Sequence, residues 1–272
     1  MLCQLYARLH GAWESARARR FSAALLVIVF LVGLLAIELG RHGLIFEQPP
    51  GNHFYAIEWA LTLLLAFEVL DLVFWLSGSV SHSAGKQLEI FSLVLLRKTF
   101  SELKSLPEPI EIATFNEPVQ RMVSDAVGAL IIFFLVGIYY RLQKHVPISE
   151  HEGEQKSFQQ AKKRIALGLL FAFVGLAIFS AVGMVTGRPQ ENSFFEVFYT
   201  ILIFADVLVA LVSIRYSISY RVVFRYFGLA AMTLFIRLAL SSPSYLKAGL
   251  GVGAAVYAVA LAYAYNRVVI RE

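Results

Sequence analysis

From Phe21 to Ile37 the chain reads FSAALLVIVFLVGLLAI without a charge, and seven further apolar runs of comparable length follow it. About 20 predominantly apolar residues carry a helix across a bilayer, and only helices or closed barrels satisfy the backbone there. The runs lack the period-2 alternation of a barrel strand, so the expected fold is an all-α integral membrane bundle. Composition agrees: of 272 residues 58% are hydrophobic and 16% charged, with mean hydropathy +0.67. A soluble domain carries fewer apolar and more charged residues.

The runs place eight transmembrane helices near 21–40, 54–77, 86–105, 125–142, 164–186, 193–215, 221–241 and 247–267. The basic residues orient them. With the N-terminus inside, the outer side holds only Arg41, Lys104, Arg121, Arg188 and Lys247, while the inner side collects Arg8, Arg17, Arg19, Arg20, Arg141, Lys144, Lys162, Lys163 and others. The expected location is therefore a cell (plasma or inner) membrane, multi-pass, with both termini cytoplasmic. The third run holds Glu89, Arg97, Lys98 and Glu102, yet it must cross for the basic segment 141–164 to stay inside. Charges at a helix centre cost roughly 2.5–3.5 kcal/mol each, so other helices should shield this one.

Two tandem copies are also legible. FLVGLLAIELGRHGLIFEQPPGNHFY at 30–55 is similar to AFVGLAIFSAVGMVTGRPQENSFF at 172–195, and GALIIFFLVGIYYR at 128–141 to GAAVYAVALAYAYNR at 253–267. Because four is even, the copies would share orientation, giving two parallel four-helix repeats, 1–145 and 164–272, joined by a cytoplasmic linker at 146–163. In that linker Ser149 and Glu152 fit a capping box, and EQKSFQQAKKR continues as a helix into the fifth span. The outer segment 106–124, with three prolines, is either a cap on the bundle or a solvated connector.

The charges inside the runs are the candidate chemistry. Glu68 and Asp71 lie three apart on the second span, and Lys86, Glu89, Arg97 and Lys104 fall near one stripe of the third. Glu68, Asp71 and Arg97 are expected near one depth, facing each other. Asp206 corresponds to Glu68 in the second half, whereas Arg237, near the outer end of its span, is a poor depth match for Arg97. Glu68, Asp71, Arg97, Glu89 and Asp206 are thus the candidate ion- or ligand-binding residues. Gly249 and Gly253, with Gly251 between them, allow close helix approach in the last span.

No cofactor is implied: no histidine lies deep in a span, and the single cysteine, Cys3, makes no intrachain disulfide. The chain contains no GxSxG, HExxH or phosphate-binding glycine loop, so it is not expected to be an enzyme. A four-helix unit with acids on its second helix resembles the voltage-sensor family in outline. That family carries arginine at every third residue of one helix, and no helix here does. Two functions fit: a transporter or channel-like protein for an ion or small solute, or a non-transporting scaffold, sensor or accessory protein acting through a protein partner. The lipid bilayer is the expected partner in both, and nucleic acid in neither.

Overall fold

The computed structural model describes residues 2–42, 52–76, 80–108, 116–143, 152–185, 194–216 and 219–269, and their regular structure is entirely helical. Nine α-helices occur among them: α1 (Leu2–Trp13), α2 (Ala16–Arg41), α3 (Phe54–Trp75), α4 (Val80–Ser101), α5 (Glu117–Leu142), α6 (Glu152–Val185), α7 (Phe194–Tyr216), α8 (Tyr220–Leu240) and α9 (Ser244–Val269). A 3-10 turn over Glu102–Ser105 ends α4. Each apolar run holds one of α2 to α9. Six of these, α2 and α5 to α9, are long and apolar enough to cross a membrane. Helix α3 falls outside that set because every 18-residue stretch of it contains Glu58, Glu68 and Asp71. Helix α4 falls outside it through its polar and charged content.

Local chemistry sets the ends. The Ser15 hydroxyl accepts from the Ala18 amide to start α2, and the Asn116 side chain accepts from Val119 to start α5, with Pro118 in its first turn. Helix α6 runs unbroken through 155–164, as the linker sequence predicts, while Ser149 of the capping box lies outside the described residues.

Consecutive helices from α2 to α9 pack on one another, apart from α5 and α6. One core is shared by α4, α5, α8 and α9, through Leu88, Phe91, Ile132, Met232 and Ala258; a second joins α3, α6 and α7 through Val73, Phe173, Phe198 and Leu202. Helix α4 touches α3, α5, α8 and α9. It buries Ser81, Ser83, Gln87 and Ser92 and nearly buries Arg97, whereas Lys86, Glu89 and Lys98 stay about a third exposed, so the charged run is shielded only in part. By contrast α2, α5 and α6 turn Leu31, Leu35, Leu130, Phe133, Phe134, Phe171 and Phe179 outward. Such continuous apolar faces suit lipid, not water.

Two elements depart from the sequence reading. Helix α1 was not foreseen; it docks at the bundle end holding the α3–α4 connection, where Tyr6 packs among Phe74 and Ala166 and its hydroxyl donates to the Phe74 carbonyl. The close approach in α9 falls at Gly251, not at Gly249 or Gly253. A Cβ there would stand 2.0 Å from Phe91 Cε1, whereas one at Gly249 or Gly253 meets nothing within 4 Å. Phe91 is itself fully packed and cannot retreat. Gly251→Ala should therefore lower stability by about 1–3 kcal/mol, and Gly253→Ala should not lower it, as read by thermal unfolding in detergent.

The opposite bundle end, termed the upper end, is held by a surface clamp. His53 Nδ1 lies 2.9 Å from Glu108 Oε1 and its Nε2 lies 2.9 Å from Glu38 Oε2, while the His53 amide donates to Glu108 Oε2 at 3.0 Å. Asn52 adds hydrogen bonds to the carbonyls of Lys104 and Leu106. The start of the 106–116 connection is thus tied to the α2–α3 junction, and residues 109–115 lie outside the described set. The Glu108 and Glu38 carboxylates raise the His53 pKa above its ordinary 6.5, and His53 lowers that of Glu108. A raised histidine stabilises fully below 6.5 and loses that contribution as pH rises through the folded value. Unfolding temperature should therefore fall as pH rises above 6.5 in wild type, and fall less in His53→Gln.

Candidate functional site

A chain of buried polar side chains crosses the interface of α3, α4, α7 and α8. Arg97 Nη1 on α4 donates to Glu68 Oε2 on α3 and to the Leu61 carbonyl, both at 3.2 Å. Both side chains are 11% exposed. Tyr199 on α7 comes next, lying within the electrostatic reach of Arg97, Glu68 and Arg237. The Arg237 guanidinium stands over its ring at 5.6 Å. Arg237 Nη2 then donates to Gln87 Oε1 at 3.2 Å, and Gln87 and Asp206 line one void together. Thr233 lies beside that carboxylate.

Helix geometry explains this assembly. Arg97 lies four residues before the end of α4 and Arg237 three before the end of α8, so they occupy matching depths, about 5 Å from their helix ends. The expectation of a poor match is corrected: α4 begins at Val80, not near 86, which moves Arg97 from mid-helix toward the upper end. Each arginine reaches down, where Glu68 and Asp206 lie deeper on the neighbouring helices.

The network is not fully satisfied. Asp206, 8% exposed, has one carboxylate oxygen without a hydrogen-bond partner, and Arg237, 4% exposed, has its Nε without one. Unpaired buried polar atoms are costly and uncommon, and they mark places where water, an ion or a solute group would fit.

Cavities track the same line. An upper cavity of about 250 Å³ is lined by Arg97, Lys98, Tyr199, Ser241 and Lys247. Beneath it, sharing Tyr199, Val94 and Leu65, lies a void of about 10 Å³ that reaches Arg237 and Gln87. A third, of about 20 Å³ and sharing Gln87, is lined by Asp206, Thr233, Ser83 and Tyr226. The upper cavity has room for a small solute, and the lower voids hold about one water each.

Of the residues singled out from sequence, Glu68, Arg97 and Asp206 join this line. Asp71 does not: it is exposed and accepts a hydrogen bond from Trp13 Nε1 of α1, so the three charges do not form one cluster. Glu89 pairs with Lys86 on its own helix and stands apart from the line. Sequence reasoning missed Tyr199, Gln87 and Thr233, which are neutral and ordinary in a membrane helix, and it undervalued Arg237. Among the described residues no three His, Cys, Asp or Glu side chains converge as a metal site would need. No family model, curated protein or solved structure matches this chain.

Proposed function

We propose that this polytopic membrane protein moves an ion or small solute along the α3/α4/α7/α8 interface. One observation carries the reading: three cavities in series share lining residues and follow the buried line from Arg97 to Arg237 and Asp206. A purely structural ion pair needs no adjoining space, whereas a path does. The narrow lower voids make this conformation closed to anything larger than water.

In this reading α3 and α4 also cross, with their charges partly shielded in the bundle, giving eight spans with both termini on the cytoplasmic side of the inner or plasma membrane. The two halves, α2–α5 and α6–α9, are copies related by an axis along the membrane normal. The packing supports this: α2 on α3, α3 on α4 and α4 on α5 are matched by α6 on α7, α7 on α8 and α8 on α9, while α4 meets α8 and α5 meets α9. Arg97 and Arg237 are equivalent under that exchange, and so are Glu68 and Asp206. Transport folds built from parallel repeats place their sites at the repeat interface, and the α4–α8 contact between the halves supports the same arrangement in this chain.

A single cysteine tests whether the line opens to water. On a Cys3→Ser background, Thr233→Cys should react with a small hydrophilic thiol reagent, while Ala258→Cys, sealed in the α4/α5/α8/α9 core, should not. Equal inertness at both positions would mean that the voids never join, and the charges would then be structural.

A further inference from the structure

The upper cavity combines three cations with four hydroxyl-bearing residues: Arg97, Lys98 and Lys247, with Thr62, Ser101, Tyr199 and Ser241. Its acids are Glu58 and Glu196. Most of these charges are already engaged. Arg97 holds Glu68, Lys98 lies 3.3 Å from Glu102, and Glu58 is paired with Lys104. Lys247, on the first turns of α9, belongs to no ion pair among the described residues. The charges that face it are Lys98, Arg97, Asp125 and Glu102.

Behind Lys247 lies an anomaly that the polar line does not use. Asp125 of α5 is 0% exposed, and neither of its carboxylate oxygens has a hydrogen-bond partner. It sits where α5 and α9 approach closely, with Gly128 against Ala248. The charges facing it are Lys247 from α9, Lys98 from α4 and Glu102 from the 3-10 turn. Arg121, one turn earlier on α5, is engaged by Glu117 and Glu102. A buried carboxylate without hydrogen bonds must draw in a cation or hold a proton. Lys247, a compact charge on a flexible four-carbon stem, lines the cavity and also faces that carboxylate.

We propose that the upper cavity binds a small oxyanion, seated by Lys247 together with Arg97 and the cavity hydroxyls, and that Asp125 competes with this anion for Lys247. With the cavity empty, Lys247 is the cation that offsets the Asp125 carboxylate across the α5/α9 contact. With an oxyanion bound, Lys247 turns to the ligand and Asp125 takes one proton from solvent, so charge balances and one proton enters per anion. The proposal rests on the transport reading only for the fate of the anion once bound; binding itself is a separate observable. A carboxylate, a sulfate or a lipid headgroup phosphate presents the same chemistry to the site.

The test uses the full chain in detergent, with sodium acetate or sodium sulfate compared against sodium chloride at equal ionic strength. Neither oxyanion titrates near neutrality. At least one should raise the unfolding temperature beyond chloride, with apparent affinity strengthening up to about tenfold per unit fall in pH. Lys247→Gln should lose the response. Asp125→Asn, which imitates the protonated acid, should keep it and lose its pH dependence. Should Asp125→Asn fail to fold, the proton is counted in wild type from the dependence of binding heat on buffer ionisation. Nanodiscs of phosphatidylglycerol against phosphatidylcholine separate the sources: a Lys247-dependent shift with the anionic lipid alone assigns the anion to a headgroup. The proposal is overturned if no oxyanion and no anionic lipid exceeds its control, if Lys247→Gln binds as wild type does, or if binding takes up no proton. Binding lost with flux retained would sink this site alone, and flux absent with binding retained would sink the transport reading alone.

Discussion

Replacing Arg237 by methionine should destabilise the protein more than any other single change along the polar line, by about 3–5 kcal/mol. Its guanidinium is 4% exposed and bonded to Gln87, and it is the charge that most offsets the buried Asp206. Removing it leaves a carboxylate without a counter-charge in a low-dielectric interior. The double variant Asp206→Asn with Arg237→Met should recover most of the loss, because the two charges vanish together. Thermal or denaturant unfolding of the four members of the cycle measures this. Additive losses would mean that the pair is not coupled.

Glu68→Gln should act the other way, leaving folding nearly intact and removing transport. The glutamine carbonyl still accepts from Arg97, which itself lines a cavity that admits water, so the structural effect is small. The loss of the negative charge exposes Arg97 to the path and disturbs any ion or proton passing it. Asp71→Asn, three residues away, should leave flux unchanged because Asp71 faces Trp13 on the far side. A Glu68→Gln protein that no longer folds would make the Glu68–Arg97 pair a structural strut.

The contrast between Glu68 and Asp71 shows where the sequence stops informing. Helical spacing puts both on a broad common face, but only the packing separates them, with Glu68 meeting α4 and Asp71 meeting α1. Helix α1 has no long apolar run, and hydropathy does not reveal it. The start of α4 was hidden for a related reason. Ser81, His82 and Ser83 are polar, and hydropathy cannot separate residues buried against protein from residues in a loop. Missing that first turn and a half displaced Arg97 in depth and concealed its match with Arg237. The positions of α2 to α9 were legible because each needs a long apolar face against lipid or core. So was the packing of α4 among other helices, because its charges demanded it. Tyr199 and Thr233 give no sequence signal, since only their neighbours make them part of the line.

The central claim, that buried charges line a path, is tested most directly in liposomes loaded with a pH-sensitive dye, with Na⁺, K⁺ and sulfate gradients imposed in turn. At least one gradient, or the pH difference itself, should collapse faster with wild-type protein than with Glu68→Gln or Asp206→Asn, both inserted to the same extent. If wild type, both variants and protein-free liposomes behave alike under every gradient, the charges hold helices in register and move nothing.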